Sequence, residues 1–316
     1  MNGLISSRGV ASNVDDRAMS QSMRSTRPPH RLRLRHPLEI PLYVVLLILN
    51  LLVLAAALRL LIVVNWLPVQ LQNPVWTNAV RGVIIAGLLV IPGIVVGREV
   101  SRAATRGTAL QLSRAQYPEL YATMTGYAQT LGLRRTPDLY LANGNGALNA
   151  FAAQAFGHEF IVVANELFAN LRRESQAGLR FILGHELGHI KLHHVSLWYQ
   201  LSLCYTSWIP LLGAWLSRLR EYSCDRHGAY LCPDGEVGLV LLTSGRYTEQ
   251  QVNIPQLLDQ GRQLHGFWIE LAQLPRTHPW TVRRLNTLYR LALFKDGGRQ
   301  ELPAAARIVS QDSDRR

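Results

Sequence analysis

Residues 182–190 read ILGHELGHI, and the architecture of the chain follows from this stretch. It contains a His-Glu-x-x-His pattern at His185, Glu186 and His189. On a helix, residues four apart share a face, so the two imidazoles can meet one ion while Glu186 is turned enough to reach water bound there. Leu183, Leu187 and Ile190 bracket the motif as an apolar helix face. That places it in a core, where unpaired histidines and a carboxylate would be costly to bury. A catalytic zinc needs a third protein ligand and an open position. Val195 stands where the metzincin pattern has its third histidine, which excludes that class. His193 on a continued helix lies ~12 Å along the axis from His185, too far to share an ion, so His193 and His194 are expected at the polar surface.

The better third ligand is Glu221 in REYSCDRHG, residues 220–228, where Glu221 and Asp225 are four apart on a predicted helix over 218–230. One carboxylate can then bind metal while the other accepts the second N–H of a ligand histidine. A solvated Glu/Asp/Arg face is the bland reading of the same segment. Cys224 and His227 are alternative ligands, the first pointing elsewhere on the helix and the second six positions from Glu221.

Outward from this centre the chain divides by composition. Residues 1–37 hold seven arginines and read as a disordered basic arm. Residues 40–64 are apolar except for Asn50 and Arg59, longer as a helix than a hydrocarbon core of ~30 Å, and residues 82–97 form a second, shorter apolar run. The connecting segment, 65–80, carries no charge but has Trp66 and Trp76, while Arg98, Arg102, Arg106 and Arg114 follow the second run. The expectation is a transmembrane helical hairpin over 38–97 with both ends cytoplasmic, by the bias of arginine toward that side. Residues 98–295 are expected to form a mainly helical cytoplasmic domain with short strands near 133–141 and 160–164, and 296–316 a disordered tail. The apolar stretch 195–217 is long enough to span. A single crossing would put His189 and Glu221 on opposite sides of the membrane, so a broken helix pair that stays on the cytoplasmic side is expected.

With 48% hydrophobic and 17% charged residues the chain is not intrinsically disordered. The net charge of +12 comes almost wholly from arginine, but no compact basic helix or aromatic-interleaved basic motif accompanies it, so no nucleic-acid partner is expected. Three cysteines without CxxC spacing argue against a disulfide framework.

The segments HELGHI and ExxxD resemble the family of membrane zinc metallopeptidases that includes the HtpX heat-shock protease and the CAAX prenyl protease. YPELYATMTGYAQTLGLRRTPDLYL at 117–141, NAFA at 149–152 followed by FIVVANELF, and THPWTVRRL at 277–285 fit the same family in the same order. The resemblance implies a zincin-type, gluzincin-like domain with one catalytic Zn2+ on His185, His189 and Glu221, Glu186 as general base and Asp225 in support. It also implies that Asn149, Ala150 and Phe151 form an edge strand that pairs with extended substrate, and that His278 and Arg284 help stabilise the oxyanion. A capping His-Pro turn and a surface arginine are the structural alternatives for the last two. Cys224 departs from the small residue usual at that position, a variant shared with a penicillin-sensing group of membrane metallopeptidases. The expected function is a zinc-dependent endopeptidase of the cell membrane that acts on unfolded or membrane-associated proteins in quality control. A signalling protease with one dedicated substrate and a non-catalytic zinc scaffold are the rivals. Zinc is preferred over iron or manganese for two imidazoles, one carboxylate and a water site.

Overall fold

The structure is a computed structural model that describes residues 33–66, 68, 73–168, 173–209, 211–245 and 248–294. The expectations for 1–32 of the basic arm and for the tail from 295 onward lie outside the described residues.

Two long apolar helices come first: α1 (Glu39–Trp66) and α2 (Pro74–Thr108). Both are long and apolar enough to cross a membrane. Asn73 caps α2, its side chain accepting from the amides of Val75 and Trp76, and Pro74 occupies the first turn, where its missing N–H costs nothing. The second helix therefore starts before and ends after the apolar run at 82–97. Its 35 residues give the shorter apolar run a helix of full crossing length, and it does not stop at the expected boundary of 97. The charged turns beyond that boundary serve the domain instead. Arg98 and Arg102 donate to the carbonyl of Gln154, Glu99 accepts from the amide of Phe156, and Arg106 donates to the Tyr140 hydroxyl.

The domain that follows is mostly helical around one small sheet: β1 (Leu110–Gln111), α3 (Pro118–Thr130), β2 (Asp138–Ala142), β3 (Ala150–Ala155), β4 (His158–Ala164), α4 (Arg173–Lys191), α5 (Leu197–Leu201), α6 (Leu212–Leu231), α7 (Val237–Ser244), α8 (Ile254–Gln263), α9 (Phe267–Gln273) and α10 (Thr281–Arg290). The strand order is β1-β2-β4-β3, with β2 and β4 parallel and the other two pairings antiparallel. β3 is thus an edge strand, and Phe151 on it is exposed. β4 carries the FIVVA run and is buried from Phe160 onward, as a strand covered on both faces requires.

Helix α4 runs through the centre, with nearly every residue from Phe181 to Ile190 buried. Its neighbour α6 comes very close because both helices present glycine at the crossing. A Cβ on Gly188 would lie 3.1 Å from the Cα of Cys224, and one on Gly184 3.1 Å from the Cα of Gly228. The two x positions of the motif, Leu187 and Gly188, therefore divide the work: Leu187 fills the core and Gly188 admits the partner helix.

The segment 195–217 is broken, as expected. It forms α5, a 3-10 turn at Thr206–Trp208 and the start of α6. Leu203, Leu216 and Leu219 pack with Leu42 and Leu46 of α1. Asn50, which interrupts the first apolar run, is buried and accepts hydrogen bonds from the amides of Tyr205 (2.9 Å) and Thr206 (3.4 Å).

Candidate active site

Helices α4 and α6 bring His185, His189 and Glu221 together. His185 Nε2 lies 3.4 Å from Glu221 Oε2, and His189 Nε2 lies 3.5 Å from Glu221 Oε1. Ligands around a tetrahedral zinc, with bonds of about 2.0–2.1 Å, stand roughly 3.3–3.4 Å apart. The three donor groups thus converge with the spacing of a shared cation. The residues fit a metal on this ground.

Asp225, one turn beyond Glu221, accepts from His185 Nδ1 at 3.0 Å, which turns the Nε2 edge of that ring toward Glu221. Arg284 of α10 is buried, and binds Asp225 through Nε (2.8 Å) and Nη2 (2.6 Å), with Nη2 also 3.5 Å from Glu221. The alternative of a surface arginine does not hold. His278 is on the outer side: its side chain is 66% exposed and its Nε2 lies 3.6 Å from Glu221 Oε1. The turn bearing His278 is held from α6, where Arg218 donates to the carbonyls of Gln273, Leu274 and Arg276.

Cys224 is a second possible donor. Its sulfur and ring nitrogens of His185 and His189 lie within 4.8 Å of one another. The sulfur, however, sits 3.7 Å from His194 Nδ1, beside the Nδ1 edge of the His189 ring, whereas both Nε2 atoms face Glu221. Burial, reinforced by the Glu221 charge, also pushes the Cys224 thiol well up in the cation-free site. Glu221 is the better third donor.

Glu186 is buried beside this group, and its Oε2 accepts from the Ala152 amide of the edge strand at 2.7 Å. Burial raises its pKa to about 7, with the nearby Glu221 charge adding to the effect and His185 opposing it. Burial alone would discharge His185, but hydrogen bonds to Asp225 and Glu221 outweigh it and hold the ring at about 10. His189 goes the other way, lowered to about 4 chiefly by burial. The cation-free cluster therefore keeps one proton between His185 and its carboxylates. A divalent cation in place of that proton, with Glu186 ionised, leaves the buried group of Glu186, Glu221, Asp225 and Arg284 without net charge.

One expectation fails. His194 is not a surface residue: it is 1% exposed, with Nδ1 3.1 Å from His189 Nδ1 and Nε2 3.0 Å from Glu39 Oε1. The reason is where α4 ends. The helix stops at Lys191, His193 takes a left-handed turn (φ 61°), and the chain folds back so that His194 lies beneath His189. His193 remains exposed. Glu39 was not singled out from the sequence, although it is the lone acid between Asp16 and Glu99, at the brink of an apolar run where solvation alone gives it no reason to stand.

Asn149, Ala150 and Phe151 lie at the start of the edge strand and line the same cavity as His185, Glu186, His189, Glu221, His278 and Arg284, with a volume of about 530 Å3.

Residues 114–207 match the profile of the family described as Peptidase family M48. Over this stretch the chain is similar to M48 peptidases. The matched residues include His185, Glu186 and His189, while Glu221, Asp225 and Arg284 lie C-terminal to them. The chain is also 27% identical over 248 residues to the plastoglobule-localized metallopeptidase 48, chloroplastic, of Arabidopsis thaliana, the alignment covering 70% of each protein. No solved structure matches. The M48 match and this relative support a metalloprotease, with a buried group at its centre that could hold a metal ion.

Proposed function

We propose that the protein is a membrane-anchored, zinc-dependent endopeptidase that cleaves extended segments of unfolded or membrane-associated proteins. The observation that carries this reading is the convergence of His185 Nε2 and His189 Nε2 on the two oxygens of Glu221, with Glu186 alongside and hydrogen-bonded to an edge strand.

His185, His189 and Glu221 would hold the ion. When bound, zinc supplies Lewis acidity toward a carbonyl and acidifies water. Glu186 accepts the proton of the attacking water and passes it to the leaving amine. Asp225 and Arg284 hold His185 and Glu221 in place. Because both guanidinium nitrogens nearest the site are engaged with Asp225, Arg284 acts through that carboxylate, and His278, exposed at the cavity mouth, is the group free to meet a developing oxyanion.

The substrate adds to β3 as a further strand. Ala152 N–H points to the free edge, toward Glu186, and Ala150, two residues away, faces the same side. At the other end Arg98 and Arg102 occupy the Gln154 carbonyl, so pairing stops there. Only an extended chain fits such an edge, which favours unfolded segments over folded domains.

Apolar residues of α1 and α2 such as Leu52, Ile62, Val83 and Leu89 are exposed, as side chains meeting lipid would be. With arginines before α1 and after the apolar run of α2, the hairpin is oriented with the catalytic domain in the cytoplasm and anchored in the cell membrane. Quality control of membrane proteins suits that placement.

The test compares wild type with Glu186→Gln in detergent, measuring bound metal by elemental analysis and cleavage of an unfolded membrane protein. One zinc per chain in both, with cleavage lost only in the variant, is the expected result. Zinc in both with no cleavage by either would overturn the endopeptidase reading.

A further inference from the structure

We infer that Glu39, the first-turn residue of the long apolar helix α1, is a positioning residue of the metal site, acting on His189 through His194. The inference rests on the reading of His185, His189 and Glu221 as metal ligands.

The two ligand histidines are supported differently. His185 has its Nδ1 on Asp225 directly. For His189 the nearest partner is another ring, since its Nδ1 meets His194 Nδ1 at 3.1 Å, and His194 Nε2 meets Glu39 Oε1 at 3.0 Å. Two adjacent Nδ1 atoms cannot both be acceptors. With Nε2 of His189 turned to Glu221 as a lone-pair donor, its proton is on Nδ1, so it donates to His194 Nδ1. His194 must then carry its proton on Nε2 and donate it to Glu39. The chain has one consistent direction, and it ends on the only group in it that is purely an acceptor.

Glu39 is built for this end. It is 2% exposed, which for a carboxylate demands partners. Arg35 Nε lies 3.2 Å from Oε1, and Ser223 on α6 donates its hydroxyl to Oε2. Ser223 Oγ in turn accepts from the His36 amide at 2.8 Å. Glu39 is therefore fixed from the segment just before its own helix and from α6, the helix that bears Glu221. It lies well outside the residues that match the M48 profile. One outer support of the site thus comes from the apolar helix itself, so a domain stripped of α1 keeps its His-Glu-x-x-His motif but lacks the group that sets the tautomer of His189. Changing the partner that hydrogen-bonds a metal-bound histidine typically lowers metal affinity by about 10- to 100-fold, and Glu39 anchors such a partner, His194.

The test uses the full chain in detergent with Co2+ as the probe, reading its affinity by chelator competition and its visible d–d spectrum. Glu39→Gln and His194→Phe are compared with Asn50→Leu, which removes a different tie between α1 and the domain without touching the relay. Expected are a shifted spectrum and about 10- to 100-fold weaker Co2+ binding in Glu39→Gln and His194→Phe, with an unchanged spectrum in Asn50→Leu. Wild-type spectrum and affinity in Glu39→Gln would overturn the inference while leaving the peptidase reading intact. Equal losses in all three variants would also overturn it, since docking of α1 would then be the cause. A wild type that binds no Co2+ would sink both readings.

Discussion

Arg284 grips both carboxylate oxygens of Asp225, with Nε on Oδ2 at 2.8 Å and Nη2 on Oδ1 at 2.6 Å. The same Oδ1 takes the Nδ1 of His185 at 3.0 Å, so a helix from the C-terminal end of the chain reaches the metal-site ring through one intervening carboxylate. Breaking a buried pair by removing one partner costs about 3–5 kcal/mol, because the other charge is left without compensation. Arg284→Met is expected to lower the unfolding midpoint sharply at pH 7. Adding Asp225→Leu should restore much of that stability, yet metal binding should stay weak in the double variant. Thermal unfolding and chelator competition on both variants separate the two effects. Recovery of metal affinity in the double variant would show that Asp225 does not orient His185.

Gly188 has 3.1 Å between the position of an added Cβ and both the Cα of Cys224 and the Cβ of His227. Backbone cannot yield as a flexible side chain can, so Gly188→Val must push α6 away from α4. Overpacking of this kind costs about 1–3 kcal/mol. It also moves Glu221 off the two imidazoles, and a shift of even 1 Å should abolish tight metal binding. Elemental analysis of the purified variant checks this. Zinc retained at the wild-type ratio would contradict it.

Glu186 carries its proton to about pH 7 in the cation-free fold, against an ordinary value of 4.5, because burial disfavours the charge. The folded state thus binds a proton that the unfolded state releases between those values. Stability of the chelator-treated protein should fall as the pH rises through this window, and Glu186→Gln, whose amide oxygen can still accept from Ala152, should not share the loss. The variant is expected to be more stable than wild type at pH 8 by on the order of 3 kcal/mol, with the difference vanishing near pH 4. Denaturant unfolding at the two pH values measures it. Identical pH profiles would show that Glu186 ionises without penalty.

Ala150 faces the free side of β3, away from β4, so a proline there removes an outward N–H without breaking the ladder. For Ala150→Pro the prediction is a several-fold rise in KM for an extended peptide, with metal content unaltered. Steady-state kinetics on one peptide series suffices, and an unchanged KM would mean that substrate does not pair with this edge.

The His185–His189 and Glu221–Asp225 pairs were legible because helical spacing alone puts the members of each pair on one face. The broken 195–217 segment was legible for a related reason: a single span there would separate groups that must meet. The edge strand came from resemblance rather than pattern, since the small residues of AFAAQA carry no strong alternation.

His194 was misread because its position was extrapolated along a helix that in fact ends at Lys191. Glu39 was passed over because 155 residues separate it from His194. Local sequence by itself determined which of these side chains stand together on one helix face: a helical repeat fixes the relative directions of residues three or four apart. Only the tertiary structure decided how those side chains are held, because the outer partners arrive from other elements. Asp225 is held by α10, Gly188 by the approach of α6, and His194 by the first turn of an apolar helix. No periodicity records such long-range pairings, since they depend on where helices cross and where a chain turns back.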